Sequence, residues 1–438
     1  MTLRLPSLVA RLNGDARDLA ALRIALCLVV LLSPDVHSAV AVAHIAPQLQ
    51  QAPIGLAWVP HPQLPLWLLQ ALYAALVGGA VLGLIGKWTQ QALTVAALAA
   101  VVLLGLPQYS GTVRHYHHLL WFLALLAASP CGDAWSVDAR RKLVPPPSGR
   151  YGVPLALAWL LFGQIYFWPG VHKWATQGLH WATGDQLIQL MRWKWLQLGE
   201  QPAVRWDHWP WLIHAGGVAV LLFEVLALPL QFWPKARPWL VLAAVGFHLA
   251  SAEIVRIAFP SLWMLWMGLL PWSRWLRPGQ LPQAQAPQFA PLVVGALLCV
   301  GVAVPGALGV YGSWPFACYP PFDRPMQDKM PAMRTEIQDF MGQWRAVSLR
   351  PAGMDSQRWW GMQWQLVLDK DKARQDNALH RYATSVLAAQ RSAGVATHAV
   401  RLWRVWYETD PDRRGQLAQK TLLWTENGPP LAGAAVAP

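Results

Sequence analysis

The residues with the clearest capacity for acid–base chemistry are His172 and Lys173, at the end of a long apolar segment that begins at Val153. A lysine in this position either extends its ammonium group to the water at the bilayer surface or lies in a cavity lined by protein. In a cavity, the loss of solvation disfavours the charged form, so the amine becomes available as a base. The first alternative describes a passive membrane protein and the second an enzyme.

Other ionisable residues occur in neighbouring apolar segments. Histidines are found in the stretch 114–118 (Arg-His-Tyr-His-His) and at His248, and carboxylates at Glu224 and Glu253. Ionisable groups at membrane depth are costly and tend to face a cavity or one another. We therefore expect the histidines and Lys173 to converge in one half of a helical bundle. The alternative is that each histidine only packs or hydrogen-bonds between helices.

The composition is that of an integral membrane protein. Of the 438 residues, 55% are hydrophobic and only 13% are charged, whereas soluble domains carry about 25% charged residues. The formal net charge of +13 does not indicate nucleic-acid binding, because the basic residues form short clusters between apolar segments, as the positive-inside rule predicts. Only Cys318 of the four cysteines lies clearly outside the membrane, so no disulfide framework is expected. The cysteine spacing predicts no metal site.

The apolar segments predict an α-helical polytopic membrane protein with about nine transmembrane helices. Several of the segments are short for a full span and must tilt or thin the bilayer. The nine predicted spans are Leu19–Leu32, Leu64–Ile85, Ala92–Leu106, His117–Ala128, Val153–Val171, Trp211–Phe232, Leu240–Ile257, Pro260–Trp272 and Pro291–Val310.

The distribution of Lys and Arg among the loops predicts a cytoplasmic N-terminus and, with nine spans, a C-terminal part on the outer face of the plasma (inner) membrane. The composition divides the chain into a transmembrane domain at residues 1–312 and a small soluble extracytoplasmic α/β domain at residues 313–428. Residues 429–438 have the composition of a disordered tail.

One segment of the chain closely resembles a known family signature. The sequence Tyr-Phe-Trp-Pro-Gly-Val-His-Lys at 166–173, followed by Trp181, resembles the signature of vitamin K-dependent gamma-carboxylases, which share a membrane core with the HTTM ("horizontally transferred transmembrane") proteins. Three weaker blocks follow the same order, namely the helix around residues 18–24, His115-Tyr116 with Trp-Ser-Val-Asp at 135–138, and Phe247-His248. The resemblance covers roughly residues 10–310.

The resemblance implies catalytic roles for three residues and cofactor contacts for three more. Lys173 aligns with the family's catalytic base, and His115 and His248 with residues expected to assist it. Tyr166, His172 and Trp181 are expected to bind the cofactor. The family couples the oxidation of reduced vitamin K by O2 to the addition of CO2 to a Glu side chain, and it uses no metal.

These observations leave three functional hypotheses open. The first is a quinol-dependent oxygenase (epoxidase) or carboxylase that acts at the outer face with Lys173 as base, reduced vitamin K (menaquinol or phylloquinol) as cofactor, and an extracytoplasmic protein or peptide as a candidate substrate. The second is a non-catalytic transporter or lipid-binding scaffold, in which Lys173 and the histidines line a path. The third is an accessory protein that acts through its outer domain. Each hypothesis makes the lipid bilayer a partner of the chain.

Overall fold

The computed structural model describes residues 12–41, 43, 50, 52–56, 59–110, 113–200, 202–276, 288–320, 322–323, 325–348, 350 and 356–428. The predicted disordered tail at 429–438 lies outside the described residues. The first part of the chain is helical and the last part contains a β-sheet with two further helices. The helices of the first part are α1 (Ala16–Leu32), α2 (Pro34–Ser38), α3 (Leu66–Ile85), α4 (Thr89–Leu103), α5 (His117–Ala127), α6 (Gly149–Gln177), α7 (His180–Thr183), α8 (Gln186–Leu198), α9 (Pro210–Leu230), α10 (Arg237–Ala250), α11 (Pro260–Gly268), α12 (Trp272–Leu276) and α13 (Phe289–Ala307).

Six helical segments within the described ranges are long and apolar enough to cross a membrane, so nine spans are not confirmed. The six are Leu66–Ile85, Thr89–Tyr109, Gly149–Gln177, Pro210–Leu230, Arg237–Val255 and Phe289–Ala307. The three other predicted spans correspond to α1, α5 and α11, which have 17, 11 and 9 residues. Nine of the eleven residues of α5 are buried, so its apolar character arises from packing between helices as well as from a lipid environment.

Helix α1 lies inside the bundle and carries a fully buried arginine. Asp15 caps its first turn by accepting a hydrogen bond of 2.8 Å from the backbone N–H of Arg17. The guanidinium group of Arg23 donates to the backbone carbonyls of Cys131 and Trp135, each at 2.6 Å. Main-chain acceptors at the turn that follows α5 therefore satisfy the two terminal nitrogens of the buried guanidinium, whereas its Nε has no hydrogen-bond partner among the described residues.

Helix α6 has 29 residues and contains the signature segment at residues 166–173. It continues through two internal prolines, Pro154 and Pro169, each of which removes one backbone donor. Gly170 allows close packing against α9, since a Cβ at this position would lie 2.7 Å from the Cβ of Glu224. Small residues at such contacts let two membrane helices approach closely. The proline–glycine pair therefore brings the end of α6 against the middle of α9.

Helix α10 continues into a π-helical turn at Ser251–Val255. The turn ends at Arg256, which has a φ of 58° in the left-handed region, where a residue with a Cβ is uncommon. The Arg256 guanidinium contacts the Glu200 carboxylate at 2.7 Å. This ion pair joins the end of the π-helical turn to the segment after α8.

The C-terminal part is a four-stranded antiparallel sheet with the strand order β2-β1-β3-β4. Helices α14 and α15 cover one face of the sheet, and Met333, Ile337, Leu379, Val386 and Leu402 are buried in the core between them. This result agrees with the prediction of strands and helices after the membrane region. The elements are β1 (Lys329–Gln338), β2 (Trp344–Val347), α14 (Ser356–Leu368), α15 (Lys372–Ser392), β3 (Ala399–Glu408) and β4 (Leu417–Asn427).

A group of arginines and aspartates connects the helical part with the loop between β3 and β4. Asp207, whose side chain is fully buried, accepts hydrogen bonds from Arg192 at 2.9 Å and from Arg205 at 2.8 Å. The same arginines contact Asp410 at 3.4 Å and Asp412 at 3.2 Å. Burial alone would raise the pKa of Asp207, but the hydrogen bonds from the two arginines lower it below its usual range.

Candidate functional site

The candidate site is a partly open cavity of about 460 Å³ lined mainly by α6, α7, α8, α9, α10, the π-helical turn and the segment that precedes the sheet. Its volume is in the range of about 300–1,000 Å³ that is typical of small-molecule sites. The lining is mainly apolar, and the polar side chains are few. They include Tyr166, Lys173, Glu224, His248 and Tyr319.

Lys173 and Glu224 form a closely paired acid and base in the cavity wall. The Lys173 Nζ lies 2.6 Å from both Glu224 carboxylate oxygens, and the two residues are 3% and 5% exposed. The Nζ also lies 4.7 Å from the centre of the Trp181 ring, a favourable position for a cation. The lysine therefore does not extend its ammonium group to the water at the bilayer surface. Of the two environments that the sequence allowed for Lys173, the structure shows the cavity lined by protein.

The protonation states of this pair have a direct chemical consequence. An ammonium with a carboxylate and an amine with a carboxylic acid contain the same number of protons and the same net charge. Isolated charges are costly in an apolar cavity, so the two groups keep one shared proton between them. The surroundings determine whether that proton is on Lys173 or on Glu224. In the second form Glu224 holds the proton and Lys173 presents a neutral amine, which is the form that can accept another proton.

A second polar pair lies in the same cavity. The Tyr166 hydroxyl is 2.6 Å from His248 Nε2 and accepts a hydrogen bond of 2.9 Å from the indole of Trp266. A hydroxyl that accepts from the indole is free to donate its single proton to Nε2, which places the imidazole proton on Nδ1. The His248 Nδ1 is buried and has no hydrogen-bond partner among the described residues. It is therefore available to a ligand hydroxyl or carbonyl.

Tyr319 and His118 form a third pair at the cavity wall. The Tyr319 hydroxyl is 2.6 Å from His118 Nδ1 and also accepts a hydrogen bond of 3.3 Å from the His118 backbone N–H. Tyr319 lines the cavity, whereas His118 lies behind it and is fully buried. Burial raises the pKa of Tyr319 well above its usual value, so its hydroxyl is a neutral donor and acceptor at pH 7.

Four of the six residues predicted from the sequence come together in the cavity, namely Lys173, His248, Tyr166 and Trp181. The other two lie elsewhere. His172 Nε2 donates at 2.8 Å to the backbone carbonyl of Gly306, and its side chain points away from Lys173 toward α13. His115 lines a second, smaller cavity.

Three functional candidates were not selected from the sequence. Glu224 was recognised as an intramembrane carboxylate, but its pairing with Lys173 depends on the rotation of α9, which apolar periodicity alone does not fix. His118 was one of several adjacent histidines. Tyr319 lies in the Pro-aromatic segment after α13, where the only available signal was its position beside Pro320.

The second cavity has a volume of about 100 Å³ and a more polar lining. It is formed by the end of α1, by α2, by the residues before α5 and by the start of α11. Its charged and titratable groups are those of Asp35, Arg114, His115 and Tyr116. Phe259 lines both cavities and therefore lies between them.

The fold and site define a multi-pass helical membrane protein that contains a mainly apolar cavity with paired acid and base groups. The HTTM domain family matches residues 13–275, which is more than half of the chain, and the chain belongs to that family. The matched region contains Lys173, Glu224 and His248. No curated protein and no solved structure matches the chain.

Proposed function

We propose that the chain is a membrane enzyme that removes a proton from the hydroxyl group of a reduced quinone, as a quinol-dependent oxygenase (epoxidase) or carboxylase acting at the outer face of the plasma membrane. The observation that carries the proposal is the buried Lys173–Glu224 pair in the wall of an otherwise apolar cavity. Strongly coupled titratable groups in a cleft are typical of sites that transfer protons. The resemblance of residues 166–173 to the gamma-carboxylase signature supports the same assignment of Lys173 as base.

The cavity residues fit a flat aromatic diol such as reduced vitamin K. The apolar lining suits a bicyclic ring, and His248 Nδ1, which is unpaired among the described residues, suits one of its hydroxyls. When bound, such a group supplies an oxidisable aromatic diol that no side chain can replace. Trp181 would hold one face of the ring region beside Lys173, and Tyr166 would orient His248.

The residues of the chain supply the proton acceptor and the dry surroundings. Lys173, as an amine, accepts the hydroxyl proton while Glu224 retains its own, so the pair becomes singly positive and the ligand singly negative. The two charges then stabilise each other at short range in a cavity whose lining is mainly apolar. This order of proton transfers explains how a lysine can act as a base without an unpaired charge being buried beforehand.

A lipid-binding scaffold remains the second candidate because of one specific feature. Both Glu224 oxygens contact the Lys173 amine, and a pair of this kind also holds α6 against α9 without any chemistry. In that case the cavity would hold an acyl chain and the pair would only stabilise the helices.

The test is the incubation of purified protein in nanodiscs with reduced menaquinone or phylloquinone under O2, with detection of the quinone epoxide by mass spectrometry. We expect epoxide from the wild type and a loss of about 10²–10⁴-fold in Lys173→Met, the range typical of a removed general base. Lys87→Met is the matched control, because Lys87 also lies over an indole ring, that of Trp88 at 4.6 Å, but outside the cavity. Epoxide formation in Lys173→Met at the wild-type rate would contradict the proposal, and its absence from the wild type would favour the scaffold.

A further inference from the structure

The Tyr319–His118 pair is separate from the Lys173–Glu224 pair and reaches beyond the cavity. Tyr319 presents its ring to the cavity, and its hydroxyl is hydrogen-bonded to a histidine that does not line it. The second nitrogen of that histidine, His118 Nε2, is buried and has no hydrogen-bond partner in the part of the chain that the structure describes. A buried polar atom without a partner is costly, so this arrangement calls for a partner or a role.

His115, in the second cavity, is a titratable neighbour of this pair. Its ring centre lies 5.3 Å from that of Tyr319, and a charge on His118 would interact with one on His248 in the large cavity and with one on His115. Tyr319, His118 and His115 therefore lie together between the large apolar cavity and the small polar one.

His115 is placed to hold a proton for a short time. Its Nε2 donates at 3.0 Å to the backbone carbonyl of Tyr311, and the carbonyl of Cys318 also stabilises its charged form. Burial nevertheless lowers the pKa of His115 to about 4, so the imidazole is neutral at rest and releases a proton readily. These properties suit a residue that accepts a proton and passes it on, and not a residue that is permanently charged.

We propose that Tyr319, His118 and His115 form a proton-transfer path that connects the apolar cavity with the polar cavity beside Arg114 and Asp35. The path rests on the proposed function, because both require a hydroxyl-bearing ligand in the cavity. It adds a second acceptor for a ligand proton, separate from the Lys173–Glu224 pair.

The transfer is balanced at each atom. The Tyr319 oxygen takes a proton from the ligand hydroxyl as its own proton moves to Nδ1 of His118, so one O–H bond forms and one breaks and Tyr319 stays neutral. His118 then carries one positive charge, which it loses when the proton on Nε2 passes to His115 through one bridging water. From His115 the proton reaches the polar cavity. No electrons are transferred.

The experiment uses 2-naphthol, an apolar bicyclic phenol that releases its proton when excited by light, bound to the full-length protein in nanodiscs. Naphthol and naphtholate emit at different wavelengths, so the emission reports proton transfer without any enzymatic turnover. Each variant is prepared both in the wild-type chain and in a Lys173→Met/Glu224→Leu chain, where the first acceptor is absent. In the second background we expect naphtholate emission that requires Tyr319 and His118.

We expect Tyr319→Phe and His118→Gln to slow the proton transfer by roughly 10²–10⁴-fold, which removes the naphtholate band. Tyr151→Phe is the matched control. Tyr151 is a buried tyrosine whose hydroxyl donates a hydrogen bond to Asp133. It lines neither of the two cavities, and the variant should retain the band.

The outcomes separate the two proposals. If 2-naphthol binds and the band is absent from the double-variant background, or persists in both Tyr319→Phe and His118→Gln, the path is wrong and the proposed function is untouched. If His118→Gln does not fold, Tyr319→Phe decides alone, because it keeps the ring and removes only the hydroxyl. If 2-naphthol does not bind to the wild type, the cavity does not accept an apolar phenol and both proposals fall.

Discussion

The Lys173–Glu224 pair makes a quantitative prediction about stability that is independent of any enzymatic assay. At 2.6 Å the attraction between the two charges is about 6 kcal/mol for an effective dielectric constant of about 20. Removing both ions from water costs several kcal/mol for each of them. The attraction and the desolvation therefore nearly cancel, and the intact pair contributes little net stability.

Removing one partner has a much larger effect because the other charge stays buried without compensation. We expect Lys173→Met and Glu224→Leu each to lower the free energy of unfolding by about 3–5 kcal/mol. We expect the combined variant to return to within about 1–2 kcal/mol of the wild type, since an apolar pair of similar volume fills the same space. The effects are thus strongly non-additive.

The assay is reversible unfolding of the purified protein in mixed micelles with increasing SDS, followed by circular dichroism. Lys87→Met again serves as the control and should change the free energy by no more than about 0.5 kcal/mol. The reasoning is refuted if the two single variants are each within about 1 kcal/mol of the wild type, or if their effects add in the double variant. The stable double variant also separates folding from function, because it should fold normally and form no epoxide.

Three further predictions concern other parts of the structure. Gly170→Val should lower the free energy of unfolding by about 1–3 kcal/mol because its side chain would collide with α9. Gly78→Val should not, because a Cβ at position 78 meets open space, and SDS unfolding measures both variants. Asp207→Asn should remove about 1.5–3 kcal/mol from the attachment of the C-terminal part. The pKa of Asp207 is lowered in the folded state, so this contribution is complete above about pH 4 and is lost as the pH falls further. Limited proteolysis should therefore release the C-terminal part of the wild type only in acid. In the variant it should do so already at neutral pH. Tyr166→Phe should weaken the binding of 2-naphthol by about 5–20-fold, since His248 loses the hydrogen bond that orients it, and unchanged fluorescence titrations would contradict this role.

The sequence predicted those features that depend on apolar length and on single residues. The predicted span Val153–Val171 lies within α6, Lys173 lies at a cavity as one alternative required, and the strands and helices after the membrane region are present. These predictions succeeded because a helix of this length and a charge at its end have few physically acceptable environments.

Other features depend on three-dimensional packing and were not predictable from periodicity. The segment at His117–Ala128 is apolar enough for a span, but its helix has only 11 residues and most of them are covered by protein. The contact between Lys173 and Glu224 depends on the close approach at Gly170, and Tyr319 reaches the cavity from a segment without regular structure. In each case the deciding contact joins residues far apart in the chain.

The most direct test of the central claim is infrared difference spectroscopy on the purified protein when reduced menaquinone binds in the absence of O2. The account predicts a difference band of Glu224 in the carboxylic acid C=O region, because the pair takes up the proton of the bound hydroxyl and ends as an ammonium beside a protonated carboxyl. The band appears if Glu224 was ionised before binding, and it shifts if Glu224 already held its proton beside the neutral amine. The band should be absent in Glu224→Gln and unchanged in Lys87→Met. Binding of reduced menaquinone to the wild type without any Glu224 carboxyl band would contradict the claim that this pair is the proton acceptor.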